Sequence, residues 1–198
     1  MALALVLLSV ALAQDCHYQT WEWSVREKRA VNIRRVTTSR EKLTQDERGP
    51  YPGCTVCEED HISISAQGQD TKVCRAYAQK YQQALIELST AKFPITELEG
   101  YRVGKSKGPV NAQGLRTQFS NHSYGVALDV NAGKNGLYDH CLSFSSKCRL
   151  LRGGPYWPDR PGSLRLEHSL IFRSFGFKWG GEINGQQKDF MHFSPSGD

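Results

Sequence analysis

Six histidines occur in this chain, at 17, 61, 122, 140, 168 and 192. A single histidine is more often a hydrogen-bonded or surface side chain than a ligand, so context must separate them. His122 stands in Ser120-Asn121-His122-Ser123-Tyr124-Gly125-Val126-Ala127-Leu128-Asp129, and His192 in Asp189-Phe190-Met191-His192-Phe193. Gly125 lets the chain turn sharply after His122, and a loop-to-strand reversal there can bring His122 and Asp129 together. Two imidazoles and one carboxylate form a common ligand set for catalytic zinc, with N and O donors at about 2.0–2.2 Å. Three protein ligands leave a fourth position for water, whose pKa falls to about 7 on the metal. The expectation is one Zn2+ ion on His122, Asp129 and His192.

The elements that must position these residues read as follows. Apolar residues Val73, Tyr77, Ala84, Leu85 and Leu88 recur at roughly helical spacing, predicting a helix over Thr71–Lys92 that ends ahead of Pro94. Gly100 to Gly114 reads as a strand followed by a loop. Gly125 to Asn131 alternates as a strand, with Ala127, Asp129 and Asn131 on one face. Pro155, Pro158 and Pro161 mark a loop from Gly153 to Gly162. Ser163 can cap a helix to about Ser174 that turns Leu166, Leu170 and Ile171 to the core, with Gly176 as its stop. Phe177–Trp179 and Phe190–Phe193 read as short strands. In a regular strand Asp189 and His192, three apart, would point to opposite faces, so a bend is expected between them. The fold class is α+β, with helices packed on one small, mainly antiparallel sheet that carries the zinc site.

The pattern S-x-H-x-x-G-x-A-x-D, followed by W-G-G at Trp179-Gly180-Gly181 and D-x-x-H-F at 189–193, resembles the VanY-like zinc peptidases. These are D-alanyl-D-alanine carboxypeptidases and L-alanyl-D-glutamate endopeptidases that cleave peptidoglycan stem peptides; their metal site is similar to that of the hedgehog signalling domain. The resemblance covers roughly Thr71 to Ser194. It implies His122, Asp129 and His192 as metal ligands and Asp189 as catalytic acid or base. It also implies an arginine that steadies the carbonyl or substrate carboxylate, at Arg116 with Arg102 as second candidate, and substrate contacts at Ser120 and Trp179. Ile183 and Ser194 stand where members often carry an aromatic and an acidic residue, which leaves substrate preference open. The alternative function is a zinc-stabilised module that binds wall peptides or a protein without cutting.

The 198 residues suffice for one sizeable core. With 39% hydrophobic and 23% charged residues the composition is globular. Residues 1–13, MALALVLLSVALA, read as an export signal ending in a small-x-small cleavage site. A cysteine-bearing extension follows over 14–69, then the catalytic domain over 70–198. The expected location is therefore secreted or periplasmic, with no transmembrane segment after signal removal. Six cysteines agree with export and disulfides; Cys141 and Cys148, flanking a short polar loop, are the favoured pair. Cys54-Thr55-Val56-Cys57 lacks the strand and helix of a redox motif and the second pair of a zinc site, so a structural disulfide role is expected. The net charge of +5 suits an anionic polymer. The basic stretch around Arg29, Arg34, Arg35 and Arg40 reads as a solvated face, with no nucleic-acid motif. Peptidoglycan peptides are the expected partners. Asn121-His122-Ser123 fits a glycosylation sequon, read as coincidence because a glycan there would obstruct the site.

Overall fold

A computed structural model describes residues 15–198, so the export segment expected at 1–13 lies outside the described residues. In chain order the elements are β1 Asp15–Ser24, β2 Arg29–Ser39, α1 Gln45–Arg48, β3 His61–Ala66, β4 Gln69–Cys74, α2 Arg75–Thr90, β5 Leu98–Glu99, β6 Val103–Val110 and β7 Arg116–Phe119. After these come β8 Leu128–Val130, β9 Leu137–Asp139, β10 Arg149–Arg152, α3 Leu166–Ser174, β11 Lys178–Trp179, β12 Lys188–Asp189 and β13 His192–Ser194. The strands form three small sheets, ordered β2-β1-β6-β7, β10-β9-β12 and β11-β13-β8-β5, plus the hairpin β3-β4. The single sheet expected from sequence is thus corrected to several. Strands of two to four residues separated by glycine- and proline-rich turns do not reach across one continuous sheet, and the N-terminal hairpin β1-β2 builds a sheet of its own with β6 and β7.

That first sheet ties the N-terminal segment to the rest. β1 pairs in parallel with β6, Thr20 opposite Val103, whereas every other strand pairing among the described residues is antiparallel. Cys16–Cys57 and Cys54–Cys74 add covalent ties, and the expected Cys141–Cys148 bridge is present. Cys54 and Cys57 therefore serve two different bridges, and no cysteine among the described residues is free. Tyr18, Leu43 and Val56 pack with Val103, Tyr124 and Val126 in a core of their own beside the main one.

The helix expected over Thr71–Lys92 begins only at Arg75, because Thr71–Cys74 belong to β4 and pair with Ile64–His61. Val73 fits the helical spacing but is buried from a strand. Within α2, Ala78, Tyr81, Ala84, Leu85 and Leu88 form the buried stripe. The last helix starts at Leu166, later than Ser163, which is itself buried. Leu166 and Leu170 are 54% and 50% exposed, contrary to expectation; Phe172 takes the core position and stacks on Phe193 with ring centroids 3.8 Å apart. Gly176 has φ 89° just past this helix, as its role of stop requires. No helix among the described residues is long and apolar enough to cross a membrane.

Candidate metal centre

Asn121–Tyr124 make one 3-10 turn, closed by Gly125 in the left-handed conformation with φ 61°. A Cβ at Gly125 would lie 2.3 Å from His61 Cδ2 and 2.6 Å from the Cys74 nitrogen, so both conformation and space demand glycine. The turn delivers His122 beside β8. Across β8, Asp129 is paired with His192 of β13 on one side and with Glu99 of β5 on the other, so the three side chains form one row. α2 locks this arrangement from behind: the buried Tyr81 hydroxyl shares its one proton between the carbonyls of Val126 (2.8 Å), on the approach to β8, and Phe193 (3.1 Å), on β13.

His122, Asp129 and His192 are all buried, and their ligand atoms lie within 4.8 Å of one another. His122 Nε2 is 3.1 Å and His192 Nδ1 2.9 Å from the same oxygen, Asp129 Oδ1. The other ring nitrogens face main-chain oxygens, His122 Nδ1 that of Gly100 (2.7 Å) and His192 Nε2 that of Asp198 (3.2 Å). Main-chain oxygen and carboxylate both only accept, so each neutral ring has one proton for two acceptors; with that proton on the outer nitrogen, the inner one is a lone pair. Two lone pairs and a carboxylate oxygen then converge with no proton between them, an arrangement that a cation satisfies. Burial lowers the His122 pKa to about 4 against the pull of Asp129, so protonation of that ring does not fill the gap at neutral pH. Burial raises the Asp129 pKa, but the two histidines outweigh it and hold the carboxyl well below its usual range. The donor set fits zinc, including the main-chain oxygen partners that orient metal-binding imidazoles.

Asp189 ends β12, and a turn at Phe190–Met191 separates it from His192 at the start of β13. That is the bend the three-residue spacing required. The turn is heavily buttressed. Phe190 stacks on Tyr156 at 3.8 Å, Phe144 of the Cys141–Cys148 loop caps it edge-on at 5.3 Å, and Trp179 Nε1 donates to its carbonyl at 2.8 Å. The Asp189 amide donates to the Gly180 carbonyl, and a Cβ on Gly180 would come within 2.5 Å of the Asp189 carbonyl oxygen. The first glycine of W-G-G is therefore the contact that admits Asp189. Asp189 Oδ1 is buried with no protein partner. Burial, then the nearby Asp129 charge, raises the Asp189 pKa to about 6.

The two arginines separate clearly. Arg116 sits on β7 and donates from Nη1 to the Gly108 carbonyl (2.5 Å), within the β6–β7 hairpin. Arg102 reaches the row itself: Nη2 lies 3.4 Å from Asp129 Oδ2, Nε 3.1 Å from Glu99 Oε1, and Nη1 is buried without a partner. The signal that favours Arg102 was the acidic Glu99 three residues before it, beside Gly100. Ser120 is buried at the start of the 3-10 turn, and Trp179 is a core residue behind Asp189. Asn121 was read only as part of a sequon; its Nδ2 donates to Ser196 Oγ (2.8 Å) and the Asp198 main-chain oxygen (2.5 Å), tying the segment that orients His192 to the His122 turn.

Residues 113–195 match the family model described as D-alanyl-D-alanine carboxypeptidase. The match supports the VanY-like family read from the motifs and spans His122, Asp129, Asp189 and His192. Searches of curated proteins and of solved structures returned no match.

Proposed function

We propose that this chain, whose residues 113–195 match a metallopeptidase family, is an exported zinc peptidase that hydrolyses an amide bond in peptidoglycan stem peptides. The observation that carries the reading is the convergence of His122, Asp129 and His192, each imidazole anchored through its outer nitrogen, beside the buried carboxyl of Asp189. A zinc ion held by those three residues supplies a Lewis acid and lowers the pKa of water to about 7.

The remaining work falls to the chain's own groups. Asp189, with an unclaimed Oδ1 and a pKa raised to about 6, accepts a proton from the attacking water and passes it to the departing amine. Arg102, with Nη1 unclaimed, donates to the carbonyl oxygen as charge builds there. In this proposal it takes the place first given to Arg116. Ser120 borders the site from the His122 turn, and Trp179 holds the Phe190 carbonyl and with it the Asp189 turn. A buried carboxyl oxygen without a partner costs stability, which a module that only binds has no reason to bear. The three disulfides fit an oxidising compartment.

The test is digestion of muropeptides by the zinc-loaded protein, read by mass. Loss of a terminal D-alanine identifies a carboxypeptidase, and scission inside the stem an endopeptidase. If zinc is bound and no muropeptide is cut, the proposal fails.

A further inference from the structure

Arg102 does not hold its place alone. Its Nε contacts Glu99 Oε1 at 3.1 Å, and the other oxygen of that carboxylate, Oε2, accepts from Arg152 Nη2 at 2.5 Å. The result is a run of alternating charges, Arg152–Glu99–Arg102–Asp129, ending on a metal-site carboxylate. Its two ends lie on different sheets. Glu99 is on β5, directly opposite Asp129 in the sheet that carries Asp129 and His192. Arg152 is on β10, in the sheet β10-β9-β12 whose other edge holds Asp189. Two carboxylates facing each other across a ladder repel, and Arg102 between them removes that conflict.

We propose that Glu99 and Arg152 are positioning residues for catalysis: together they fix the Arg102 guanidinium with Nη1 left for substrate, and they fasten the sheet bearing Asp189 to the sheet bearing the metal ligands. Stability does not explain the pair. The Arg152 and Glu99 side chains are 47% and 37% exposed, and an exposed ion pair adds little to stability. Arg102 is different, since two of its three nitrogens are engaged and the third is buried and unclaimed. Its aim is therefore set by Glu99, and the aim of Glu99 by Arg152.

The inference rests on the peptidase reading above, and the experiment separates the two. Glu99→Gln, Arg152→Gln, Arg152→Lys and the double glutamine variant are compared with the starting protein in zinc content, thermal midpoint, kcat and KM on a stem peptide, and 15N relaxation of the Arg102 Nε–H. Each single glutamine variant lowers kcat about tenfold, the usual scale for a partner one step behind the reacting groups, with a smaller change in KM. The double variant is no worse than the poorer single, because both act through one guanidinium. Arg152→Lys recovers part of the loss. Zinc content is unchanged, and the Arg102 Nε–H becomes more mobile. A kcat within twofold of the starting protein in either glutamine variant overturns the inference, as does an Arg102 Nε–H that stays equally ordered. If the starting protein cuts no stem peptide, the peptidase reading falls, and the relaxation measurement alone decides whether Glu99 and Arg152 position Arg102.

Discussion

Asp129→Asn separates what the carboxylate does for the metal from what it does for the fold. In the metal-free chain Asp129 Oδ1 lies 3.1 Å from His122 Nε2 and 2.9 Å from His192 Nδ1, and against the cost of burial the two histidines hold its carboxyl ionised, well below the usual carboxylate range. A carboxyl whose pKa is lowered on folding stabilises the folded chain at neutral pH. An amide carries no charge and forfeits that, and it leaves Arg102, 3.4 Å from Oδ2, with Glu99 as its remaining counter-charge. Hydrogen bonds to a charged group contribute about 1.5–3 kcal/mol each, so the metal-free variant is less stable than the metal-free starting protein by about 1–3 kcal/mol. Zinc widens the gap. At a free concentration near 100 times its Kd, zinc stabilises the starting protein by about 2.7 kcal/mol, whereas an amide, a poor zinc ligand, leaves the variant almost unaffected. Urea unfolding with chelator and with zinc gives all four values. The reasoning is refuted if the metal-free variant is as stable as the metal-free starting protein or more so, or if zinc stabilises both equally.

Three further outcomes follow from the same contacts. The raised pKa of Asp189 means that the folded chain holds this proton more tightly than the unfolded one. Stability from this group is therefore full below the usual carboxylate range and is lost as pH rises through about 6, so metal-free Asp189→Asn gains on the starting protein across that window in unfolding titrations; with zinc it keeps the metal and loses turnover. Gly180→Ala places a Cβ within 2.5 Å of the Asp189 carbonyl oxygen; zinc content stays, and kcat falls by about a hundredfold, the scale of a misplacement near 1 Å. Replacing Cys54 and Cys74 by alanine opens a link between residues 20 apart and lowers stability by about 3 kcal/mol in urea unfolding.

The local part of the site was legible. His122, Gly125 and Asp129 lie within eight residues, and the turn that joins them depends on one glycine whose conformation no side chain readily copies. The bend between Asp189 and His192 followed from strand periodicity, and the Cys141–Cys148 bridge from its short loop. What escaped depends on contacts distant in sequence. Val73 suits a helix by spacing and a strand by its partner Ile62, and only the β3–β4 pairing decides. Leu166 and Leu170 look like a core face until Phe172 claims that side by stacking on Phe193. Arg102 could not be ranked above Arg116 by type, because its place depends on Glu99 and Asp129, which meet only across the β5–β8 ladder. The main-chain oxygens of Gly100 and Asp198 that orient the two imidazoles carry no side-chain signature at all.

The metal centre is tested most directly by anomalous diffraction at the zinc edge from crystals of the zinc-loaded protein. One peak bounded by His122 Nε2, Asp129 Oδ1 and His192 Nδ1 is the predicted result. A zinc peak elsewhere, or none at this position with zinc present in the crystal, contradicts it.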